Sequence, residues 1–200
     1  MERNGRERTA WMDHLLAKDW NIFGTLKFID GRTIGRHIAT KVLRSYWNKI
    51  DRIFFGKAAE RQAVRVPRWC FAHEGSDSEN YHVHFALLAP IADIEHTCCV
   101  LNAVWTQHHY QTAPLGKNWI MPLRHKKAAT NYLTGEYWRL GGETLLDDLC
   151  WDQTSANTLA EYQHDAQQAR ILRAASPLWL NDAKQALKAQ QDTYKAPDEH

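Results

Sequence analysis

The sequence predicts an α+β fold in which a central antiparallel sheet carries helices on one face. β-prone, alternating segments are interleaved with amphipathic helical segments in the order β-α-β-β-α-β-α, and a short polar turn separates the two middle strands. The chain has 200 residues, 44% of them hydrophobic, which is enough for one sizeable core. This order is typical of a ferredoxin-like split β-α-β sandwich, with the middle hairpin at the centre of the sheet.

Each element of the first half has its own signal. Apolar residues recur at helical spacing beneath a charged face within residues 1–19, which predicts an N-terminal helix. Residues 20–28 alternate between apolar and polar side chains and predict the first strand. Over residues 34–56 the apolar positions return close to every 3.6 residues, so this segment is predicted to be a long helix with its Lys and Arg outward, ended by Gly56.

The second half contains the central hairpin and the last helix of the sandwich. Pro90 ends the second hairpin strand, and Gly141-Gly142 stops the last helix. The predicted elements are strands at 66–73 and 81–88, a helix at 93–110, a short strand at 117–121 and a helix at 126–140.

The chain is predicted to have three parts: an N-terminal helix (1–19), the sandwich domain (20–142) and an acidic helical extension (143–200). The extension is expected to hold one helix at about 156–174. A second helix is expected to begin at Ser176-Pro177, an N-cap followed by proline, and residues after Gln191 are expected to be disordered.

Composition excludes several classes of protein. No apolar run approaches the roughly 20 residues that cross a bilayer, and the charged N-terminus lacks the apolar core of a signal peptide. The four cysteines form no C-x-x-C pair, and two of them are adjacent, which fits neither a disulfide framework nor a zinc ribbon. We therefore expect no membrane partner and a cytoplasmic location.

Charge is unevenly distributed although the net charge is only +2. From Lys27 to Arg68 there are 11 Lys and Arg against three acids, whereas residues 142–200 carry ten acids against five Lys and Arg. The front half is thus a candidate polyanion-binding surface. The nine Trp could be core residues or platforms for unpaired bases, and composition does not decide between them. The candidate DNA-binding residues are Lys27, Arg36, Arg44, Arg65, Arg68 and Lys126.

Two histidines one residue apart lie on the predicted third strand. Because successive strand side chains point to opposite faces, His82 and His84 share one face and supply half of a metal site. The nearest acidic ligand is Glu74, and His73 is the alternative. These two neighbours point to opposite faces, so only one of them should contribute. Imidazole nitrogens with a carboxylate suit Mn²⁺, Mg²⁺ or Zn²⁺.

A metal beside a basic surface can polarise a phosphodiester, and such chemistry needs a nucleophile. Tyr132 lies in the 126–140 helix just after Lys126-Lys127. Tyrosine is a poor nucleophile at its ordinary pKa of about 10, so it needs activation by a metal or by cations. On its own, Tyr132 is better explained as a core aromatic at helical spacing with Tyr137 than as a nucleophile.

These segments together resemble the HUH endonucleases, in particular the rolling-circle replication initiator (Rep) proteins. The resemblance covers about residues 20–140 and rests on three motifs in the expected order. They are Ile22-Phe23-Gly24-Thr25-Leu26-Lys27-Phe28, similar to F-x-T-L-x-F; His82-Val83-His84, the His-hydrophobe-His motif; and Ala128-Ala129-Thr130-Asn131-Tyr132-Leu133-Thr134-Gly135-Glu136, similar to the catalytic Tyr-x-x-Lys helix.

The resemblance implies an HUH nickase domain at 20–142 that acts on single-stranded DNA at a replication origin. Mn²⁺ or Mg²⁺ would be held by His82, His84 and Glu74. Tyr132 would attack the phosphate to give a 5′-phosphotyrosine and a free 3′-OH. Because the chain has no G-x-x-x-x-G-K-[ST] motif, a separate helicase would unwind the DNA, in the bacterial nucleoid.

The chain departs from the family motif at one position, where Gly135 replaces the lysine. Lys126, Lys127 or Arg124 could stand in for it, with Lys127 counted among the catalytic residues. Tyr137 is the alternative nucleophile. Other readings remain: a single-Tyr HUH transposase, a relaxase (whose histidines usually follow the tyrosine), an inactive DNA-binding module on the same fold, and a hydrolase unrelated to DNA.

Overall fold

The computed structural model describes residues 2–61, 63–74, 81–152 and 177–194. The element order β-α-β-β-α-β-α is confirmed, with an extra short helix at Lys57–Arg61. The helices are α1 (Glu2–Ala17), α2 (Arg36–Phe55), α3 (Lys57–Arg61), α4 (Ile94–Thr106), α5 (Lys126–Leu133), α6 (Tyr137–Leu140) and α7 (Pro177–Thr193). The strands are β1 (Ile22–Lys27), β2 (Arg68–His73), β3 (His82–Leu87) and β4 (Trp119–Pro122).

The four strands form one antiparallel sheet in the order β2-β3-β1-β4. The predicted antiparallel pairing of β2 with β3 is confirmed, but only β3 is central. β1 is the other central strand, and β2 lies at an edge, so the prediction of a central hairpin is half correct. The register places His73 opposite His82 and Thr25 opposite His84. This register assembles the site described below.

Helices cover both faces of the sheet, which corrects the prediction of helices on one face. One face packs through Leu26, Val83 and Phe85 into the main core with α2, α4 and α7. The other face, here called the histidine face, is partly covered by α1 and α5, whose buried residues Leu15 and Leu133 pack with strand aromatics. The N-terminal helix is needed there because the strands present large aromatic side chains on this side as well.

Gly24 in β1 allows the main core to close around an aromatic ring. A Cβ atom at this position would lie 2.2 Å from the Cζ of Phe85, which is on the neighbouring strand. The ring of Phe85 therefore lies across the β1 backbone, and no larger residue fits there. The glycine within the first sequence motif thus has a packing role on the face opposite the histidines.

A buried ion pair ties β2 to α2. Arg68 donates to both carboxylate oxygens of Asp51, at 2.8 and 3.0 Å, and its Nε donates to the Leu149 carbonyl at 3.0 Å. Both side chains are nearly inaccessible. Because the charges are fully hydrogen-bonded, the pair is tolerated, whereas loss of one partner would cost about 3–5 kcal/mol.

The remaining differences from prediction concern helix ends. The predicted 126–140 helix is broken into α5 and α6 by a turn at Gly135, whose N–H donates to the Tyr132 carbonyl at 3.2 Å. α7 begins at Pro177 as expected, and it continues to Thr193, beyond the predicted end at Gln191. The predicted helix at 156–174 lies outside the described residues. No helix among the described residues has the length and apolar character needed to cross a membrane.

Candidate metal centre and nucleophile

Three histidines meet on the histidine face. His73 ends β2, and His82 and His84 belong to β3, so alternation and register bring all three rings to one side of the sheet. Ring centroids lie 4.0 Å apart for His73 and His84, and 4.7 Å apart for His82 and His84. Each ring offers one nitrogen, and these nitrogens lie within 4.8 Å of one another. Among the described residues, this is the group that could hold a metal ion.

The spacing of the ligand atoms fits a shared cation. The Nε2 atoms of His82 and His84 are 3.1 Å apart. Two nitrogens bound at about 2.1 Å to one ion are separated by about 3.0 Å in octahedral and about 3.4 Å in tetrahedral coordination. The observed separation falls in this range, so the two side chains need little rearrangement to bind one ion.

Hydrogen bonds to the other ring nitrogens orient two of the ligands. The Nδ1 of His84 lies 2.8 Å from the buried hydroxyl of Thr25, which leaves its Nε2 for a metal. The Nε2 of His73 lies 3.2 Å from the Leu133 carbonyl. A carbonyl only accepts, so Nε2 carries the proton and Nδ1 carries the free electron pair. Such outer partners fix the tautomer and direction of a histidine ligand.

Burial favours the neutral form of two of the three histidines. The pKa of His73 is lowered to about 4, mainly by desolvation and also by the neighbouring His82, although the hydrogen bond to Leu133 opposes this. Desolvation and the two other histidines lower the pKa of His84 well below its ordinary value. Neutral imidazole is the form that binds metals. The site is therefore prepared for a cation at neutral pH.

Glu74, the predicted acidic ligand, is not part of this cluster. It follows His73 directly, and strand alternation sends its side chain away from the histidine face. Its carboxylate Oε1 lies 3.4 Å from the Nη1 of Arg36. The predicted alternative, His73, lies beside His82 and His84 instead, so the group that could hold an ion contains His73 and not Glu74.

Tyr132 lies against the histidines. Its ring centroid is 4.6 Å from that of His84 and 5.9 Å from that of Phe23, and 58% of the residue is exposed. Together with the three histidines it lines a cavity of about 1140 Å³, here called the histidine cavity. This volume is close to the upper end of the roughly 300–1,000 Å³ of typical small-molecule sites. The cavity therefore has room for a segment of a polymer as well as for a small ligand.

Tyr137, the alternative nucleophile, lies elsewhere. It is buried, with only 4% exposed, and it does not line the histidine cavity. Burial raises the pKa of Tyr137, and the carboxylate of Glu7 on α1 raises it further. A neutral, enclosed phenol facing α1 is unsuited to attack a phosphate. The structure thus brings Tyr132, and not Tyr137, to the candidate centre.

The cations that line the histidine cavity are Lys27, Arg32 and Arg124. Of the predicted catalytic and DNA-binding cations only Lys27 is among them. Lys127 is exposed on α5 but outside the lining, and Lys126 turns to the Lys18 carbonyl on the α1 side. Arg124, considered as a stand-in for the missing motif lysine, is the cation next to α5 that does face the cavity.

The other predicted DNA contacts are occupied by acidic partners. Arg68 is buried against Asp51, and the Nε of Arg65 lies 3.4 Å from the same carboxylate, so both side chains are engaged within the protein. Arg36 pairs with Glu74. Arg44 lies on the outer side of α2 and pairs with Asp148 at 2.8 Å. Counting charges along the sequence could not reveal these pairs, because the partners are distant in the chain.

Three residues of the cavity carried no functional signal in the sequence. Trp119 belongs to a short strand, Tyr194 follows the last helix, and His125 precedes α5; all three line the histidine cavity. Their convergence depends on α7 packing beside β4, which no local pattern encodes.

Comparisons with models of known protein families, with curated proteins and with solved structures returned no match to this chain.

Proposed function

We propose that this protein is a metal-dependent endonuclease that cuts single-stranded DNA and becomes covalently joined to it through Tyr132. The observation that carries the proposal is the exposed Tyr132 ring, 4.6 Å from His84 in a three-histidine cluster. A nucleophile beside a candidate Lewis-acid site, in a cavity with room for a strand segment, suits transfer of a phosphoryl group within a polymer.

The metal would be held by His73, His82 and His84. A divalent cation in this position acts as a Lewis acid on a phosphate oxygen. A third histidine in place of the expected carboxylate changes the preferred ion, because Mg²⁺ favours oxygen ligands and imidazole suits transition metals. The donor set therefore favours Mn²⁺ or Zn²⁺ over Mg²⁺.

The side chains of this chain account for the remaining chemistry. The Oη of Tyr132 attacks phosphorus, and its proton passes to solvent through the open side of the cavity. The bond from phosphorus to O3′ breaks, and O3′ keeps the electron pair and takes up a proton. The products are a 5′-phosphotyrosine and a free 3′-OH. Lys27 and Arg124 offset the negative charge of the phosphate during the transfer.

Further support comes from the fold, whereas Gly135 marks the place of the family's missing lysine. The four-stranded antiparallel sheet and the β-α-β-β-α-β element order are compatible with the ferredoxin-like arrangement that the resemblance to HUH enzymes implies. A Cβ atom at Gly135 would lie 3.8 Å from the Cε1 of His73, so the family's lysine would project toward the centre. Its absence leaves Arg124 as the neighbouring cation.

Initiation of rolling-circle replication is the biological role proposed for this cleavage. The 3′-OH would prime synthesis at an origin, and a separate helicase would supply unwinding. The covalent bond to Tyr132 would conserve the energy needed to rejoin the strand.

The test is a denaturing gel after incubation of the protein and Mn²⁺ with single-stranded DNAs from its own replicon. We expect a covalent protein–DNA band that EDTA and Tyr132→Phe abolish and that Tyr137→Phe retains, since Tyr137 is buried away from the cavity. DNA binding without an adduct on any strand would overturn the proposal. It would favour an inactive DNA-binding module, the reading that Gly135 supports.

A further inference from the structure

The histidine cavity extends from the three histidines toward a second end at β4 and α7, and of the residues that line this end the proposed chemistry uses only Arg124. Its lining there comes from Trp119 on β4, from Arg124 and His125 before α5, and from Tyr194 after α7. None of these side chains belongs to the three-histidine cluster. Trp47 and Trp105 are buried in the core, whereas Trp119 is only half-buried and lines the cavity.

This end of the cavity is built from flat groups. The guanidinium of Arg124 lies 5.1 Å from the ring centroid of Tyr194. The rings of His125 and Tyr194 are 6.3 Å apart and within 14° of parallel. Aromatic faces and guanidinium planes are the surfaces on which unpaired nucleobases stack, independently of base identity.

The strand register connects this end of the cavity to the three-histidine cluster. Trp119 lies opposite Thr25, and Thr25 lies opposite His84, so these residues form one row across β4, β1 and β3 on the histidine face. Strands are spaced by about 4.8 Å, which places Trp119 about 10 Å from His84. A base attached to a phosphate held at the histidines would fall near this row.

We propose that Trp119, Arg124 and Tyr194 form a stacking subsite for an unpaired nucleobase of the DNA strand beside the cleaved phosphate. The inference rests on the proposed function for the identity of the strand, but the subsite itself needs no cleavage. It assigns a role to α7, which brings Tyr194 to the cavity. It also places base recognition on the β4 side of the sheet and phosphate chemistry on the β3 side.

Binding can be measured without cleavage in the Tyr132→Phe protein. The probes are an oligothymidylate of about twelve nucleotides and an abasic strand of the same length and charge, compared by fluorescence anisotropy. We expect Tyr194→Ala to weaken binding of the oligothymidylate by roughly tenfold, because one stacked base loses its platform, and to leave abasic binding unchanged. Tyr194→Phe keeps the ring and should bind both strands normally.

Two further variants separate stacking from charge and from folding. Arg124→Lys keeps the charge but loses the planar group, so it should weaken oligothymidylate binding more than abasic binding. Tyr110→Ala removes a tyrosine that is 80% exposed outside the cavity lining, and it should change neither affinity. Equal weakening of both strands by Tyr194→Ala, or no weakening of either, would overturn the subsite.

The two proposals fail in different ways. If wild-type protein forms the covalent adduct but Tyr194→Ala binds both probes normally, only the stacking subsite is lost. If Tyr194 determines base-dependent binding but no strand yields an adduct, the subsite stands and the endonuclease proposal falls.

Discussion

At the scale of single residues, the orientation of the His84 ring depends on the hydroxyl of Thr25. It lies on the central strand β1, is 5% exposed and stands 2.8 Å from the Nδ1 of His84. By taking up that nitrogen, it leaves Nε2 directed at His82. Loss of a hydrogen bond of this kind, from a neighbouring group to a metal-binding histidine, typically lowers metal affinity by about 10- to 100-fold.

We predict that Thr25→Val, which keeps the shape and removes the hydroxyl, lowers the affinity for Mn²⁺ or Zn²⁺ by about tenfold or more. Thr25→Ser retains the oxygen and should bind close to normally. Isothermal titration calorimetry measures both affinities in the absence of DNA. Equal affinities for the valine and serine variants would mean that the hydroxyl does not orient His84.

The identity of the third ligand gives a second prediction at this scale. His73 joins the cluster, whereas Glu74 pairs with Arg36. His73→Ala should therefore reduce metal affinity by more than the roughly 10- to 100-fold cost of losing an outer partner. Glu74→Gln, the matched control one residue along the chain, should bind metal normally. A strong loss in the glutamine variant alone would restore the carboxylate as the ligand.

The sequence predicted His82 and His84 as ligands but left the third candidate open between Glu74 and His73, for a physical reason. The period of a strand puts His82 and His84 on one face whatever the rest of the chain does. The third ligand depends on which residue of β2 stands opposite His82, and this is His73. The connection between the two strands is not one of the two-residue turns that dictate a register, so local pattern left Glu74 and His73 as alternatives.

At the scale of elements, α1 holds the end of the helix that carries Tyr132. The Nε of Arg8 donates to the Thr134 carbonyl at 3.0 Å, and its Nη2 donates to the Oδ1 of Asn131 at 2.9 Å. Its guanidinium also lies 5.5 Å from the ring of Trp138. A cation at the C-terminal end of a helix stabilises the unpaired carbonyls there.

We predict that Arg8→Ala loosens this turn and costs about 1 kcal/mol of stability. Amides at the α5–α6 turn should exchange faster with deuterium, and covalent adduct should form more slowly because Tyr132 loses its fixed position. Arg3→Ala is the matched control, since Arg3 pairs with Glu7 within α1. Equal exchange rates in the two variants would argue that α1 does not hold Tyr132 in position.

The elements themselves were largely predictable, because alternation and helical spacing are local properties. The break at Gly135 was not, since the 126–140 segment reads as one amphipathic run until the chain turns at Thr134. The placement of α1 on the histidine face was also missed. It depends on aromatic contacts such as that between Trp11 and Phe71, whose ring centroids lie 5.9 Å apart and whose positions are far separated in sequence.

At the scale of the whole molecule, the acidic C-terminal part offsets the basic front half. Arg44 pairs with Asp148, and Lys18 pairs with Asp152, in both cases within 2.9 Å. Each exposed pair contributes little stability, about 0–1 kcal/mol. Because these pairs engage individual cations of the front half, the uneven charge along the sequence overstates the positive surface that is free of acidic partners. The cations that remain at the histidine cavity include Lys27 and Arg124, and these are better candidates for contacts to phosphate.

The buried histidines also make the stability of the metal-free protein depend on pH. Burial lowers the pKa of His73 from about 6.5 to about 4, and lowers that of His84 as well. In the unfolded chain both rings take up protons near pH 6.5, whereas in the folded protein they resist protonation. Their contribution to stability is therefore present above about pH 6.5 and is lost as the pH falls toward 4.

We predict that, in EDTA, each of these histidines costs the wild type about 1–2 kcal/mol of unfolding free energy between pH 6.5 and pH 5, since one pKa unit corresponds to about 1.4 kcal/mol. Urea unfolding at several pH values measures the slope of unfolding free energy against pH.

The test compares this slope in the wild type and in His73→Gln, because His96 and His108 also have lowered pKa values and contribute to both. The His73→Gln protein should show the shallower slope. Bound Mn²⁺ should steepen the wild-type slope, because protons then compete with the metal for His73. Identical slopes for wild type and His73→Gln would mean that His73 is protonated as readily in the folded protein as in the unfolded chain, and the neutral cluster would have to be abandoned.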